Sequence, residues 1–326
     1  MKEPKKICLV GAGAWGKNHL RTLNELKLLA GVVEINSPTR TALKEHYPKI
    51  ELFSDLDAAL NQDYDGFVVA TPPGTHAVLA EKIIRKGIPV LIEKPLTLNY
   101  EDALKLSRIS SLNNNRTMVG HVLLFHPAIE TMKNLIEKGT IGELQYLYSN
   151  RLNLGTIRSH ENVFWSFAPH DISIFQYFTE SFPRLVTSTG GAFIQVGIHD
   201  ITLTQLTYPN DVQGHIFVSW LHPFKEHRLV VVGSKGMLRF EDSADGKPLL
   251  FYDKGIELEQ GVPVNREGPT ERIPYDTTLP LTRELLYFGK VLEGQSVGKA
   301  DLTSGLEVIR ILELATESLL KQEENK

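Results

Sequence analysis

The chain is almost without cysteine, since Cys8 is the only one in 326 residues. A single thiol cannot close an internal disulfide, and Cys8 lies in a predicted strand, where we interpret it as a small core residue. Disulfides are typical of oxidising compartments, so this composition favours a reducing, cytoplasmic location.

Long apolar runs and an excess of charge of one sign are also missing. No stretch approaches the length of a membrane span, and the lysines near the start precede only the short run Ile7–Val10, which predicts a strand rather than an export signal. The formal net charge is −4, from 35 basic and 39 acidic residues. Nucleic-acid and membrane partners usually require concentrated positive charge, so the sequence predicts neither.

What the sequence does have is length and a regular alternation of patterns. At 326 residues it predicts two domains, each able to bury a core of its own. Strands and helices alternate up to residue 121, which indicates an α/β domain with a doubly wound parallel sheet over residues 1–121. Strand-like runs with short links then indicate an α+β domain with a large, mostly antiparallel sheet over residues 122–326, and leave open that the C-terminal helix packs back on the first domain.

The apolar pattern also predicts the bounds of the elements. In the first domain the predicted strands are 7–10, 30–33, 66–70, 89–92 and 117–120, and helices begin at Lys17, Ser37, Ser54, Thr75 and Asn99. In the second domain helices are predicted over 127–138, 162–178, 281–293 and 302–321, and a long loop over 261–280. Predicted strands there are 143–153, 185–189, 202–208, 214–220, 228–232, 237–241 and 249–252.

A glycine-rich turn, Gly11–Gly16, joins the first predicted strand to the first predicted helix. Such a turn lets the backbone approach a pyrophosphate, which the free N–H groups of the helix N-terminus then bind. Glu34 ends the second apolar run, where a carboxylate can grip the ribose hydroxyls and repel a 2′-phosphate. We therefore predict a dinucleotide site that prefers NAD to NADP; the alternative is a structural turn that binds nothing.

Two further segments follow strand ends in the same sheet. Ligands of open α/β sheets bind beyond the carboxyl ends of the strands, which places Thr71–His76 and Glu93–Pro95 beside the glycine turn and Glu34. Lys94 ends a buried strand and is followed by proline. Near a carbonyl or alcohol its ammonium can stabilise a developing oxyanion; the alternative is a solvated lysine in a turn.

These motifs together resemble the Gfo/Idh/MocA oxidoreductase family. The residues that carry the resemblance are Gly11–Gly16, Ala70–Pro73 with His76, and Glu93–Pro95, and the segments 150–155, 168–172 and 231–236 are similar to the family's sugar-nucleotide branch, found in polysaccharide biosynthesis. The resemblance covers nearly the whole chain. It implies a Rossmann domain, a nicotinamide cofactor, hydride exchange with a sugar-like substrate, and a homodimer or homotetramer formed through the open C-terminal sheet.

The resemblance also implies roles for individual residues. Lys94 would hydrogen-bond the reacting oxygen, Glu93 would lie near the nicotinamide ribose, and the bond before Pro95 is often cis. The full predicted cofactor-binding set is Gly11, Gly13, Ala14, Trp15, Gly16, Glu34, Thr71, Pro72, His76, Glu93, Lys94 and Pro95.

The second catalytic element of the family is an Asp-x-x-x-His pair on one helical face, where the carboxylate orients the imidazole that exchanges the proton. The histidine here is His170, but Ser166 occupies the aspartate position. A hydroxyl cannot stabilise an imidazolium as a carboxylate does, so we expect proton transfer to be slowed about ten- to a hundredfold rather than abolished. Asp171 is adjacent in sequence but is not expected to substitute.

The sequence indicates substrate-binding and metal-binding residues less clearly than cofactor-binding ones. Arg151, Arg158 and Asn162 precede the His170 helix and, with Ser166, are candidates to meet an anionic sugar or diphosphate, although each is also compatible with a structural or surface role. Two pairs have the residue types of metal ligands, His199 with Asp200 and His121 with His126. Neither pair has a third ligand at a recognisable spacing, so we predict no metal.

The leading hypothesis is therefore an NAD-dependent oxidoreductase acting on a secondary alcohol or ketone of a sugar or nucleotide sugar. In the oxidative direction His170 would take the hydroxyl proton and Lys94 would stabilise the oxygen. Two alternatives stay open: an NAD-dependent glycosidase that oxidises its substrate transiently, and an NAD-binding regulatory protein weakened by Ser166.

Overall fold

The structure, a computed structural model, describes residues 4–324. It has two compact units. The first comprises the chain up to Phe125 together with Thr278–Ile309, and the second comprises His126–Thr277 together with the chain from Arg310 onward.

The first unit is built on six parallel strands, which confirms the predicted doubly wound sheet. They are β1 (Ile7–Val10), β2 (Leu29–Val33), β3 (Glu51–Phe53), β4 (Gly66–Val69), β5 (Val90–Glu93) and β6 (Thr117–Gly120), in the order β3-β2-β1-β4-β5-β6. Strands β1, β4, β5 and β6 are buried along their whole length, as continuous apolar strands covered on both faces must be. The pattern missed β3, because it is a short edge strand whose first residue is exposed.

Helices cover this sheet. They are α1 (Gly16–Glu25), α2 (Ser37–His46), α3 (Leu56–Ala59), α4 (His76–Arg85), α5 (Tyr100–Leu112) and, from the later segment, α9 (Pro280–Leu292). Asn36, Asp55 and Asn99 cap three of them, since each side chain accepts a hydrogen bond from a backbone N–H in the first turn. Helix α9 packs against α1 and against the short 3₁₀ turn Val122–Phe125.

The second unit carries an eight-stranded sheet in which only one neighbouring pair is parallel, so the predicted mostly antiparallel sheet is confirmed. Its strands are β7 (Leu144–Leu154), β8 (Leu185–Gly191), β9 (Ile201–Thr207), β10 (Gln213–Ser219), β11 (Leu221–Gly233), β12 (Met237–Glu241), β13 (Leu249–Tyr252) and β16 (Thr270–Arg272). The order is β16-β13-β12-β11-β7-β10-β9-β8. Helices α6 (Pro127–Glu137), α7 (Val163–Phe167) and α8 (Pro169–Thr179) belong to the same unit, and α10 (Leu302–Glu324) begins in the first unit.

Two predictions in the second unit were wrong. The helix predicted over 162–178 is two helices, because Pro169 has no N–H with which to continue the ladder; Ala168 between them keeps helical angles (φ −68°, ψ −20°). The loop predicted over 261–280 contains β16 and one strand of a hairpin, β15 (Val262–Arg266), whose partner strand β14 (Gly255–Glu259) lies just before it. Gln260 and Gly261 both have positive φ, which suits a two-residue hairpin turn.

One face of the eight-stranded sheet is lined by half-buried aromatic side chains. Tyr146 and Tyr148 on β7 lie beside His215 and Phe217 on β10, and the rings of Tyr148 and His215 stack with their centroids 5.2 Å apart. Residues of opposite parity, such as Leu147 and Ile216, are fully buried. Over the described range 4–324, no helix has both the length and the apolar content that crossing a bilayer requires.

Asp200, which the sequence pairs with His199 as a metal-like motif, has a structural role in the second unit. It is fully buried, and its carboxylate accepts hydrogen bonds from the Trp220 indole N–H (2.5 Å) and from the backbone N–H groups of Phe193 (2.6 Å) and Ile194 (2.9 Å). Three donors converge on one carboxylate, which joins Trp220, between β10 and β11, to the loop between β8 and β9.

Replacing Asp200 with alanine should lower the free energy of unfolding by about 3 kcal/mol, because the buried Trp220 indole N–H and two partly buried backbone N–H groups lose their acceptor. Denaturant unfolding followed by tryptophan fluorescence measures the loss. The matched control is Glu267→Ala, which removes an exposed carboxylate paired with Lys254 and should change stability by less than about 0.5 kcal/mol. Equal effects of the two substitutions would contradict the proposed role of Asp200.

Candidate active site

The glycine turn has the geometry that the sequence predicts. Gly11 has φ +94°, a conformation that L side chains rarely adopt. A Cβ on Gly16 would lie 2.1 Å from the Gly11 carbonyl oxygen, so a side chain there would push α1 away from the turn. At Gly13, by contrast, a Cβ would meet no atom within 4 Å among the described residues, which leaves the backbone open to a ligand. The turn therefore fits a pyrophosphate at the N-terminus of α1.

Glu34 lies against this turn, at the end of β2. Its Oε2 accepts the Ala12 N–H at 2.9 Å, and its Oε1 accepts the Asn36 N–H at 2.9 Å. Each carboxylate oxygen keeps further acceptor capacity, so the group fits two ribose hydroxyls. Arg40, on α2 and a possible partner for a 2′-phosphate, instead donates hydrogen bonds from its Nη1 to the carbonyls of Glu34 (2.6 Å) and Ile35 (2.8 Å).

The Glu93 side chain connects the glycine turn to Lys94. Its Oε1 accepts the indole N–H of Trp15 at 2.7 Å and lies 2.6 Å from His19 Nε2, and its Oε2 accepts the Lys94 N–H at 3.1 Å. Burial alone would raise the pKa of Glu93, but these hydrogen bonds and the charge of His19 hold it below its ordinary value. Glu93 is therefore an ionised, buried carboxylate that holds the start of the lysine turn.

His76 holds the other end of the lysine turn. Its side chain is fully buried, with Nδ1 2.9 Å from the Pro95 carbonyl oxygen and Nε2 2.9 Å from the Thr71 carbonyl oxygen. The Lys94–Pro95 peptide bond is cis, as the resemblance implies. The Thr71 and Thr75 hydroxyls lie 2.7 Å apart, and Pro72 is exposed beside them. Direct contact of Thr71, Pro72 and His76 with the cofactor stays a prediction.

The first unit thus brings most of its predicted site residues to one end of the parallel sheet. The glycine turn, Glu34, Thr71 and Lys94 follow the carboxyl ends of β1, β2, β4 and β5. Hydrogen bonds link the glycine turn to Glu34 and to Glu93, and His76 links Thr71 to Pro95. Among residues 4–324 no three His, Cys, Asp or Glu side chains group as a metal site would require.

The second unit places His170 in the first turn of α8 and Ser166 near the end of α7. Backbone hydrogen bonds continue on both sides of the junction, from Ala168 N–H to Phe164 and from Ile172 N–H to Ala168, both at 2.9 Å. The segment between Ser166 and His170 is therefore still turned as a helix, although Pro169 separates the two elements.

The Asp171 carboxylate forms an ion pair with Arg151. Its two carboxylate oxygens accept hydrogen bonds from Arg151 Nε (2.8 Å) and Nη2 (3.0 Å), and both side chains are largely buried. Burial opposes the charge of the guanidinium, but the pairing with Asp171 raises the pKa of Arg151 above its ordinary value. This pairing agrees with the expectation that Asp171 does not substitute for the missing aspartate, which stays a prediction, as does the role of Arg151 toward a substrate.

The other two substrate candidates have local contacts. Asn162 caps α7, because its side-chain oxygen accepts the Trp165 N–H at 3.1 Å. Arg158 is half-exposed, with its Nε 3.9 Å from a Glu161 carboxylate oxygen. These contacts explain both residues without a ligand, so their substrate roles also remain predictions.

Sequence reasoning missed three titratable residues. His19 is buried and pairs with Glu93, and Glu284 is buried in the first unit. His227 is half-buried, and burial together with the Arg151 and Lys225 charges lowers its pKa to about 4. His121, which the sequence names only as part of a possible metal pair, is also buried in the first unit. The only sequence signal for any of them is their rarity among apolar neighbours, such as Glu284 before Leu285 in a helix with an apolar face.

Comparisons with known proteins place this geometry in context. The UDP-N-acetylglucosamine 3-dehydrogenase of Acidithiobacillus ferrooxidans is 29% identical over 262 residues, covering 79% of this chain and 80% of that enzyme. An inositol 2-dehydrogenase of Pseudarthrobacter chlorophenolicus is 28% identical over 186 residues, which is 55% of either chain, so that match spans about half of the relative.

Solved structures extend the similarity over almost the whole chain. The Acidithiobacillus ferrooxidans UDP-N-acetylglucosamine 3-dehydrogenase structure superimposes with a TM-score of 0.84 at 22% identity, covering 96% of this chain and 97% of that chain. The WlbA dehydrogenase of Bordetella pertussis, in complex with NADH and UDP-GlcNAcA, superimposes with a TM-score of 0.79 at 18% identity and covers 98% of both. At these identities the structures show the shared fold alone.

Two family profiles identify the family to which the chain belongs. The profile of the oxidoreductase family with an NAD-binding Rossmann fold matches residues 5–121, and the Gfo/Idh/MocA C-terminal domain profile matches residues 129–239. The predicted Rossmann fold, NAD cofactor and oxidoreductase class are thereby confirmed, and the UDP-sugar dehydrogenase relative agrees with the predicted sugar-nucleotide branch. With these matches spanning most of its length, the chain belongs to the Gfo/Idh/MocA family of NAD-binding oxidoreductases.

Proposed function

We propose that this enzyme is an NAD-dependent dehydrogenase that moves hydride between the nicotinamide and a secondary alcohol or ketone of a nucleotide sugar. The observation that carries the proposal is the lysine turn, in which Glu93 and His76 fix the backbone on both sides of Lys94. An ammonium on a rigid turn, next to a dinucleotide-binding loop, is preorganised to stabilise an oxygen whose negative charge grows during reaction.

The roles of the residues follow from their chemistry. Bound NAD would accept or supply the hydride. The Gly11–Gly16 backbone would hold the pyrophosphate, and Glu34 would accept the hydroxyls of the adenosine ribose. Lys94 would donate a hydrogen bond to the reacting oxygen, while His170 would take the hydroxyl proton in oxidation and return it in reduction.

The substrate class rests on the relatives. One relative is a UDP-N-acetylglucosamine 3-dehydrogenase, and one structural neighbour was solved with a UDP-sugar acid. Inositol 2-dehydrogenases are also similar over half their length, so a free cyclitol or sugar is the first alternative substrate to test. Cytoplasmic polysaccharide precursor synthesis suits this chemistry.

We also propose a homodimer or homotetramer. The support is the half-buried aromatic face of the large sheet, formed by Tyr146, Tyr148, His215 and Phe217, which a second copy of the chain can cover. Sedimentation analysis of the wild type and of a Phe217→Glu variant tests this assembly, which should dissociate when a charge enters the interface.

The first prediction of the proposed chemistry concerns Lys94. Incubating the enzyme with NAD and a panel of UDP-sugars, free sugars and inositols should yield NADH with at least one of them, and Lys94→Ala should lower kcat about a hundred- to a thousandfold because an oxyanion-stabilising cation is lost. NAD affinity should fall far less than kcat, although Lys94 also belongs to the predicted cofactor-binding set. Lys82→Ala, which removes an exposed lysine paired with Asp57, is the control.

Two results would contradict this assignment. Full turnover by Lys94→Ala would remove the proposed electrophile. Release of a free sugar without net NADH, from protein that carries bound NAD, would indicate the glycosidase alternative instead.

The second prediction concerns cofactor choice. Glu34→Ala should weaken NADH binding about ten- to a hundredfold, because charge-assisted hydrogen bonds to the ribose are lost. It should also reduce the preference for NADH over NADPH, because the carboxylate no longer repels the 2′-phosphate of NADPH. Fluorescence titrations with both reduced cofactors measure the two affinities. Glu45→Ala, an exposed residue on α2, is the control. Unchanged NADH affinity in Glu34→Ala would place the ribose elsewhere.

The third prediction concerns the departure at Ser166. Ser166→Asp should raise kcat for alcohol oxidation about tenfold, because a carboxylate stabilises the imidazolium that His170 becomes. Ser166→Asn has nearly the same shape without the charge and should stay close to the wild type. Turnover that appears only in Ser166→Asp would support the regulatory alternative, and a loss of activity in that variant would show that the carboxylate does not reach His170.

A further inference from the structure

Glu284 is the most unusual buried group in the first unit. It lies on α9, is 0% exposed, and neither of its carboxylate oxygens has a hydrogen-bond partner within residues 4–324. Glu93, the other buried carboxyl nearby, receives hydrogen bonds from three nitrogen atoms. An ionised carboxylate without donors is far too costly to bury, whereas a neutral carboxylic acid is tolerated.

The surrounding charges act in the same direction. After burial, which has the largest effect, the negative charge of Glu93 further raises the pKa of Glu284 well above its ordinary value, and Lys299 only partly opposes them. The Lys299 ammonium donates to the Leu124 carbonyl at 3.0 Å and lies 4.4 Å from the centre of the Phe125 ring, so its charge is shared with other groups.

A second neutral group completes this cluster. His121 is 1% exposed, and neither of its ring nitrogens has a hydrogen-bond partner in the described part of the chain. Burial and the Lys94 charge lower the pKa of His121 to about 4, against the opposing effect of Glu93. The titratable groups of the cluster are His19 on α1, Glu93 and Lys94 at the end of β5, His121 after β6, Glu284 on α9 and Lys299 before α10.

We propose that Glu284 is a protonated carboxylic acid in the working enzyme and that it sets the charge around the lysine turn. With Glu284 and His121 neutral, Glu93 is the ionised carboxylate of the cluster, and the positive charge of Lys94 is not cancelled by a second anion. Glu284 acts through Glu93 and Lys94, so it is a positioning residue. Its catalytic effect rests on the proposed function, whereas its protonation does not.

The protonation of Glu284 has a consequence for stability. The unfolded chain releases this proton near the ordinary glutamate value of about 4.3, while the folded chain keeps it to a higher pH. The folded state therefore binds more protons between those two values, and the free energy of unfolding falls as pH rises through that window. A glutamine at this position cannot ionise in either state, so it does not impose this loss.

The experiment compares the full-length wild type with Glu284→Gln, using Glu25→Gln, an exposed change on α1, as the control. Infrared spectroscopy at pH 7 should show the carbonyl-stretch band of a protonated carboxyl in the wild type and in Glu25→Gln, and not in Glu284→Gln. Melting temperatures should diverge as pH rises from 5.5 to 8, with Glu284→Gln gaining about 2 °C per pH unit over the wild type.

The arrangement also predicts the effect of removing the neighbouring charge. In Glu93→Gln the infrared band of Glu284 should titrate at a lower pH than in the wild type, because no anion then opposes its ionisation. A band that is missing from the wild type, or a melting difference that does not grow with pH, would overturn the protonation of Glu284.

The catalytic consequence is tested with whichever substrate gives turnover. Wild-type turnover should decline at the alkaline pH where the infrared band disappears, and Glu284→Gln should lack that decline. If the wild type shows the infrared band but turnover falls at alkaline pH in both the wild type and Glu284→Gln, the charge-setting role is overturned. The protonation of Glu284 still stands in that case. If no sugar or cyclitol is oxidised, the proposed function fails, and the infrared and melting results still decide the protonation.

Discussion

The buried carboxylate of Glu93 is the interaction on which the first unit's chemistry depends. A negative charge without water is tolerated only when donors surround it, and here three N–H groups do so, from Trp15, His19 and the Lys94 backbone. Because Trp15 belongs to the glycine turn, one carboxylate fixes the loop that would bind the pyrophosphate and the turn that carries the lysine. The separation of cofactor and ammonium is thus set by packed side chains rather than by flexible loops.

The second unit also contains a buried carboxylate that is satisfied by hydrogen-bond donors, and it belongs to Asp171, next to His170 in sequence. Arg151 and Asp171 form a two-point ion pair that is largely buried, so each neutralises a charge that would otherwise be costly. Such pairs specify one arrangement more than they add stability. An exposed pair such as Lys82 with Asp57, by contrast, contributes little to either, because water competes for both partners.

The parallel sheet and the glycine turn could be predicted because their signals are local: continuous apolar strands, and glycines at positions where a Cβ would collide or where φ is positive. The Glu93 cluster could not, since His19 and Glu93 are 74 positions apart and nothing in either neighbourhood marks the partner. The break before Pro169 was missed because apolar spacing continues across it. The hairpin over 255–266 was missed because its strands are exposed and carry few apolar residues in alternation.

The surroundings of Lys94 and of His170 have opposite effects on the positive charges that we propose for the two side chains. A neutral Glu284 leaves Lys94 less compensated, which favours negative charge on a substrate oxygen. In the proposed mechanism, Ser166 offers the His170 imidazolium a hydroxyl where other family members offer a carboxylate, and Asp171 is already bound to Arg151. A histidine with a less stabilised imidazolium is a weaker general base for alcohol oxidation and a stronger general acid for ketone reduction. On the proposed role of His170, a serine at position 166 therefore favours ketone reduction relative to a family member that keeps the aspartate.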